Sequence, residues 1–366
     1  MTEPPAVPGA PEVESPGAAG EGELPPVAAE PAPAAAPPPR RFRLPLRPFE
    51  IYTFASTLAI VAFLRYHGLR IDWTTVDYSL VPMVKALPRM ALVGLGLQLV
   101  AHLVRRRSFV GYLRQVARPA SLWLWARVWF AAMLMTYSYK WLKVCIPLFN
   151  YHLFDDQLWR LDRFLHLGVS PSIFAVELTR GTPVAGWLDT WYGWWITSVL
   201  FALAYFFSST DLAQRRRFAL ACALLWTLGA TTYALVPALG PCYYAAAEFE
   251  PVADRMPSAI AGQAVLWGNY TKMLAGRTGQ LYQFNPVMGV AAMPSLHVGA
   301  HFLFFLWARR YERRLALLLA LATGLTLFAS VLTGWHYAVD GYAGMLLAWI
   351  CYRLALRFEP PEPAPA

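Results

Sequence analysis

Two histidine-containing motifs supply the side chains that phosphoryl transfer requires. They are PSLH at residues 294–297 and WHYAVD at residues 335–340, and each opens an apolar stretch long enough to cross a membrane. Polar residues beside such stretches are costly to keep and are therefore candidates for function. One imidazole can attack phosphorus while a second carries the proton of the leaving oxygen. The two motifs predict an enzyme that acts on a phosphate ester through a phosphohistidine.

The second motif pairs His336 with a carboxylate. Asp340 follows it by four residues, so the two side chains share one face if the segment is helical. The carboxylate can then accept a hydrogen bond from one ring nitrogen, fix the tautomer and stabilise the positive charge of the attacking imidazole. The alternative interpretation is a helix-capping Asp beside an incidental interfacial His.

The first motif predicts a helix start that can bind an anion. Pro294 suits the first turn of a helix, and the unpaired N–H groups there attract a phosphoryl group. His297 can act as the general acid, and the Ser295 hydroxyl can donate to a phosphoryl oxygen. His301 lies one turn further on, which raises a metal site as an alternative, but no zinc spacing is present. We expect His301 to bond between packed helices and the reaction to need no metal or other cofactor.

The composition places the chain among membrane proteins. Hydrophobic residues make up 57% and charged residues 14%, and this pattern is typical of polytopic membrane proteins. The net charge is +9, yet the basic residues sit in short clusters beside apolar segments, which argues against nucleic-acid binding. Residues 1–39 are rich in Pro, Ala and Glu and are predicted to be a disordered tail, as is the segment 355–366. No secretory signal is apparent, so the first span is expected to remain as an anchor.

The fold class predicted is an all-α polytopic membrane protein with about eight transmembrane helices. The apolar segments of suitable length are 49–66, 88–104, 120–139, 187–208, 218–238, 294–308, 315–333 and 337–354. With this count, five basic clusters all fall on one side, which the positive-inside rule assigns to the cytoplasm together with both termini. His297 and His336 then lie together at the extracytoplasmic face.

Two further segments and one pair of cysteines carry secondary expectations. The amphipathic stretch 151–167 is predicted to be an interfacial helix whose charges form a solvated face. The Trp-rich stretch 187–195 is predicted to be an interfacial belt, with an acyl-chain groove as the alternative. Cys145 and Cys242 fall on the same predicted side, so both a disulfide and two free thiols remain open.

The motifs together resemble those of the type 2 phosphatidic acid phosphatase (PAP2) superfamily, and more closely its inositol phosphorylceramide synthase branch. The resemblance rests on PSLH at 294–297, GWHYAVDG at 334–341, GPCYY at 240–244 and DDQLWRLD at 155–162. It covers roughly residues 137–354 and implies a six-helix catalytic core. Residues 40–136 would then hold two additional N-terminal helices and the start of the third.

Carried over by position, the resemblance implies that His336 is the nucleophile, Asp340 its orienting carboxylate and His297 the acid and base. Tyr243 and Tyr244 of the GPCYY segment become substrate-binding candidates. Lipid phosphatases also carry a Lys/Arg motif and a Ser-Arg pair that this chain lacks. A different cation must hold the phosphate, and the candidates are Lys140, Lys143 and Arg277.

The function predicted is a lipid phosphotransferase that moves a phospho-head group from a phospholipid to a polyol or lipid alcohol. The SLH and GPCYY variants of the motifs favour this prediction of an inositolphosphotransferase-like enzyme. The first alternative is a lipid phosphate phosphatase acting on a polyprenyl or diacylglycerol phosphate, since the motifs alone do not separate water from an alcohol as acceptor. The second is a transporter or other non-enzymatic membrane protein, which would be expected to carry charged residues in mid-span.

Overall fold

The computed structural model describes residues 46–69, 74–275 and 289–359. Every regular element in these ranges is a helix, with no strand among them, as the composition predicts. The proposed tail 1–39, the candidate Arg277 and the last residues from 360 onward lie outside the described residues.

The helices are numbered in chain order, with one 3₁₀ turn between α10 and α11. Their bounds are α1 Pro48–Tyr66, α2 Thr74–Val104, α3 Phe109–Val116, α4 Pro119–Phe149, α5 Asp155–Leu165, α6 Pro171–Thr179, α7 Val184–Gly193, α8 Trp195–Phe207, α9 Leu212–Leu235, α10 Pro241–Tyr244, the 3₁₀ turn Ala246–Phe249, α11 Glu250–Ala253, α12 Pro257–Ala275, α13 Leu296–Tyr311, α14 Arg313–Leu332 and α15 Ala338–Phe358.

Four of the described helices are long and apolar enough to span a membrane. They are Pro48–Tyr66, Val84–Val104, Leu212–Leu235 and Arg313–Leu332. The protein is therefore an integral membrane protein by this measure, whereas the count of eight spans is not confirmed. One reason is local, since the predicted segment 187–208 is divided into α7 and α8 at Trp194. Another is that α13 has only 16 residues and carries Arg309 and Arg310 in its last turn.

Helix α13 is the centre of the bundle, packed against α14, α15 and α9. It can approach α15 closely because both helices have glycine at the crossing. A Cβ atom on Gly299 would lie 2.9 Å from the Gly344 carbonyl oxygen, and one on Gly344 would overlap the Ser295 carbonyl oxygen. Small residues at a crossing bring backbones together in this way in membrane proteins. The crossing sets the first turn of α13 beside the first turn of α15, where the two histidine motifs lie.

The opposite ends of these helices are joined by ion pairs made by the basic clusters. Arg216 Nε lies 2.6 Å from Glu359 Oε1, and Arg105 pairs with Glu312. Arg127, a charge inside the third predicted segment, pairs with Glu50 at the start of α1. These guanidinium groups therefore have local partners within the bundle.

All four cysteines lie in the described residues as buried free thiols. The disulfide between Cys145 and Cys242, one of the two options left open by the sequence, is therefore absent.

Substituting Gly344 with alanine tests the helix crossing. The added methyl group overlaps the Ser295 carbonyl oxygen, so the free energy of unfolding should fall by about 1–3 kcal/mol, the usual cost of overpacking. The measurement is the thermal unfolding midpoint of the purified protein in detergent. Gly324→Ala on α14 is the matched control, because a Cβ there meets no heavy atom within 4 Å and alanine favours a helix. Equal midpoints for the two variants would contradict the proposed close contact.

Candidate active site

The two motif histidines meet at the end of the bundle where α13 and α15 begin. His297 Nδ1 lies 3.0 Å from His336 Nε2, and the ring centroids are 5.3 Å apart. His297 belongs to the first turn of α13, and His336 lies in the short loop between α14 and α15. Both imidazoles are thus within reach of a single phosphoryl group.

A backbone carbonyl fixes the tautomer of His336. Its Nδ1 lies 2.8 Å from the Ala292 carbonyl oxygen, and because a carbonyl only accepts hydrogen bonds, we assign the ring proton to Nδ1. Nε2 then keeps a free lone pair, which accepts from Nδ1–H of His297. Sequence reasoning missed this orienting group, since a loop carbonyl carries no signal in the residue types.

Asp340 lies on the same side of the His336 ring but further away. Its Oδ2 is 3.5 Å from His336 Nδ1 and accepts the Tyr337 backbone N–H at 2.9 Å, which makes it part of the cap of α15. No donor among the described residues contacts Oδ1, although the side chain is fully buried. The carboxylate therefore combines the two roles that the sequence left as alternatives: it caps the helix and lies beside the imidazole.

A cavity of about 330 Å³ lies against the two histidines. Its lining is mostly apolar and aromatic and includes one cation from the described residues, Lys143. The residues that line it are Lys143, Asp189, Tyr192, Gly193, Trp195, Leu239, Ser258, Ala259, Gly262, Leu266, Gly289, Val290, Ala291, His297, Trp335 and His336. Of the three candidate cations, Lys143 lies in the cavity wall, Lys140 does not, and Arg277 falls outside the described residues.

The other predicted binding residues lie outside this lining. The Ser295 hydroxyl accepts the Val298 N–H at 3.4 Å and so caps α13. The Tyr243 hydroxyl donates to the Gln263 carbonyl at 2.9 Å. The Tyr244 hydroxyl donates to Asp156 at 3.0 Å and is exposed. Each of these side chains has a structural hydrogen bond in place of a position in the cavity wall.

Two aromatic residues that sequence reasoning did not select contact His297. The Tyr192 hydroxyl lies 2.9 Å from His297 Nδ1, and the Trp195 ring meets the imidazole edge to face at 4.1 Å between centroids. Both belong to the Trp-rich stretch predicted to be an interfacial belt. Trp187 and Trp194 of that stretch are exposed, so one part of it faces outward and another part forms the wall of the site.

Helix α5 corrects the prediction of a solvated charged face. Asp155 is 4% exposed and Asp162 is 2% exposed, because both accept hydrogen bonds from backbone N–H groups of neighbouring loops. Asp156 and Arg160 do face solvent and pair with each other at 3.0 Å. The amphipathic pattern identified the helix, but not the partners of its carboxylates.

His301 bonds between helices, as the sequence predicts. Its Nδ1 lies 2.9 Å from the His297 carbonyl oxygen, and its Nε2 lies 2.9 Å from Ser198 Oγ on α8. Both ring nitrogens are therefore engaged. Among the described residues, no group of three or more His, Cys, Asp or Glu side chains is placed to hold a metal ion.

Burial and a nearby positive charge act together on His336, which lies outside the predicted spans. Loss of solvent and the charge of Lys143 lower its pKa to about 3, while the hydrogen bond to Ala292 opposes the shift. An imidazole with this pKa is neutral at pH 7 and keeps its Nε2 lone pair. His336 is thus in the protonation state that a nucleophile requires.

Comparison with known proteins identifies one family. Residues 156–354, more than half of the chain, match the model of the PAP2 superfamily. No curated protein and no solved structure matches the chain. The matched segment contains both histidines of the site, Asp340 and all but the first residue of α5, whereas Lys143 lies before it.

The effect of Lys143 on His336 can be measured directly. Lys143→Met removes a positive charge that disfavours the imidazolium, so the pKa of His336 should rise toward its ordinary value of about 6.5. The measurement is a pH titration by NMR of protein labelled with ¹⁵N-histidine, with His336 assigned from the His336→Asn spectrum. Lys140→Met is the control, because Lys140 is on the same helix but not in the cavity wall. An identical His336 titration in both variants would contradict the assignment of Lys143 to this site.

Proposed function

Because the chain belongs to the PAP2 superfamily, we propose that it is a membrane-embedded lipid phosphotransferase that moves a phospho-head group, in the manner of an inositolphosphotransferase, from a phospholipid to an alcohol. Family membership and the apolar helices are consistent with a membrane phosphatase or phosphotransferase. The observation that carries the proposal is the 3.0 Å contact between His297 Nδ1 and His336 Nε2 at the wall of the cavity.

In the first half-reaction His336 Nε2 attacks phosphorus. An N–P bond forms while the bond from phosphorus to the leaving oxygen breaks. His297, whose protonated form is favoured by the bound phosphate anion, gives that oxygen a proton and becomes neutral. The imidazole of His336 becomes positively charged as it attacks. The Ala292 carbonyl and the Asp340 carboxylate both lie on its Nδ1–H side, where they stabilise this charge.

In the second half-reaction an alcohol acceptor resolves the phosphohistidine. His297, now without its proton, takes the proton of the acceptor hydroxyl, a new P–O bond forms, and the N–P bond breaks. Water in place of the alcohol would give hydrolysis by the same steps. Two sequence features favour an alcohol: Leu296, where lipid phosphatases usually have glycine, and the GPCYY segment that starts α10.

Two features of the cavity suit the anionic phosphoryl group. Lys143 supplies a positive charge at the cavity wall. The positive ends of the α13 and α15 dipoles lie at the same end of the bundle, because His297 is in the first turn of α13 and His336 just precedes α15. Trp195, Leu266 and Trp335 add apolar surface that suits the lipid part of a substrate.

We place the active site on the extracytoplasmic side, with both termini in the cytoplasm. The support is the positive-inside rule, because the basic clusters lie at the helix ends opposite the histidines. Arg309 and Arg310 are in the last turn of α13, while His297 is in its first.

Product analysis on a lipid panel tests the function and separates its two forms. The purified protein is incubated with labelled phospholipids and lipid phosphates, with and without inositol, other polyols or lipid alcohols. We expect a labelled head group on the acceptor, and about 10³-fold or greater loss of this product with His336→Asn. His152→Asn is the control, because His152 is exposed and does not line the cavity. Free phosphate as the sole product would establish the phosphatase instead, and full activity of His336→Asn would exclude the mechanism.

Metal removal tests whether the proposed reaction needs a metal ion. In the proposed mechanism two imidazoles, Lys143 and helix N-termini provide the electrostatic stabilisation. We therefore expect turnover to be unchanged in excess EDTA. A loss that added Mg²⁺, Mn²⁺ or Zn²⁺ restores would contradict the mechanism.

A further inference from the structure

Helix α5 carries two buried carboxylates on one face. Asp155 and Asp162 are seven residues apart, about two helical turns, so their side chains point the same way. Neither has a Lys or Arg ion pair among the described contacts of the chain, and neither lines the cavity. A buried carboxylate is costly unless it is well hydrogen-bonded, and both of these obtain their bonds from the loops around His336.

Asp162 holds the start of α15. Its Oδ2 accepts the Ala338 N–H and its Oδ1 accepts the Val339 N–H, each at 2.8 Å. These are the first two residues of the helix, whose N–H groups have no partner within the helix itself. The positive end of the helix dipole also favours a carboxylate at this position. His336 lies two residues before Ala338, the first of the two residues that Asp162 binds.

Asp155 holds the same loop from a second direction. Its Oδ1 accepts the Tyr337 hydroxyl at 2.8 Å and the Gly240 N–H at 2.8 Å, and its Oδ2 accepts the Leu239 N–H at 2.9 Å. Gly240 lies in close contact with the loop that carries His336. A Cβ atom at this position would lie only 2.7 Å from the Trp335 carbonyl oxygen. Gly240 also has φ = +107°, a conformation that favours glycine.

We propose that Asp155 and Asp162 are positioning residues that hold His336 in its reactive place at the cavity wall without touching the substrate. This inference rests on the proposed role of His336 as nucleophile. Together the two carboxylates fix the residues on both sides of the ring: Trp335 through the 239–240 loop, and Tyr337, Ala338 and Val339 directly.

The chemistry explains why these positions are carboxylates. Each accepts from at least two converging donors, and only a carboxylate offers two oxygens with no donor of its own. An amide would place an NH₂ group against a backbone N–H and leave that N–H unpaired in a buried site, which is costly. Asparagine is close to aspartate in size and shape, so a substitution changes the hydrogen bonds with little change in packing.

The decisive variant is Asp162→Asn in the full-length protein. A ring displaced by about 1 Å lowers a reaction rate by up to about 100-fold, so we expect kcat to fall by about 10- to 100-fold. KM should stay within about twofold, because Asp162 does not line the cavity. Trapping the phosphoenzyme with labelled substrate should still label nearly every molecule, but more slowly. Glu177→Gln is the control. Glu177 lies on α6, away from α5, and its exposed carboxylate pairs with the exposed Arg180 three residues later.

The same measurements separate positioning from a purely structural role. If Asp162 only stabilises the fold, the labelled fraction will fall in proportion to kcat while each labelled molecule reacts at the wild-type rate. That result would overturn the proposal, and so would unchanged kcat. If Asp162→Asn fails to fold, Tyr337→Phe serves instead, because it removes one hydroxyl bond to Asp155 and leaves the backbone bonds in place. We expect a smaller fall in kcat for this variant, again at constant KM, and an unchanged kcat would overturn the part of the proposal that concerns Asp155.

Hydrogen exchange distinguishes failure of this inference from failure of the proposed function. Amides of residues 337–340 should exchange faster in Asp162→Asn than in the wild type, whatever the reaction. A wild-type protein that turns over no lipid of the panel would overturn the proposed function, and the exchange rates would then decide by themselves whether the carboxylate holds the loop. Equal exchange in both proteins would show that it does not.

Discussion

Backbone N–H groups at the starts of buried helices must find acceptors, and this constraint shapes the whole site. Helices α12, α13 and α15 all begin beside the cavity. Asp189 accepts the Ser258 and Ala259 N–H groups of α12 at 2.9 and 2.8 Å, and Ser295 caps α13. Asp162 and Asp340 share the donors that start α15. A donor without a partner in such surroundings costs about 1–3 kcal/mol. The side chains that meet this requirement also fix where each helix begins, and therefore where His297 and His336 lie.

This arrangement gives the site an unusual charge distribution. Several carboxylates lie close to a cavity that we propose receives an anion, but the oxygens of Asp155, Asp162 and Asp189 already accept backbone or hydroxyl hydrogens. These carboxylate oxygens therefore point toward the N–H groups of helix starts and loops. Lys143 is the cation that the described cavity wall presents. It serves two purposes in the proposed mechanism: it attracts the phosphoryl group, and its charge helps to keep the His336 imidazole neutral before attack.

Sequence reasoning anticipated the proximity of side chains where it follows from residue type and spacing, and it missed the positions that depend on long-range backbone contacts. Two histidines of the expected types meet at the end of the bundle, and the spacing of four residues brings Asp340 to the side of His336. The lengths of the apolar runs predicted eight segments that are helical in the structure, but they did not decide which of these segments span the membrane. It also could not show that a carbonyl at Ala292 would orient the ring, or that the carboxylates of α5 would face backbone donors more than 80 residues away in sequence. The sequence does not distinguish Lys140 from Lys143, because both are lysines near the same end of one apolar segment. Only the packing of α4 determines that Lys143 reaches the cavity.

The contact between the two imidazoles has a consequence for the order of events. His336 Nε2 cannot accept the His297 proton and attack phosphorus at the same time, because both use the same lone pair. In the proposed mechanism the substrate therefore separates the rings before reaction. Tyr192 limits the energetic cost of that step, since its hydroxyl is already 2.9 Å from His297 Nδ1 and offers the nitrogen a second partner. In the proposed mechanism the phosphoryl group displaces His297 from His336 Nε2, so that the Nδ1–H of His297 can instead donate to the leaving oxygen. Trp195 packs edge to face against the same ring. In the proposed mechanism this contact keeps the general acid, His297, beside the nucleophile, His336, until a substrate replaces it.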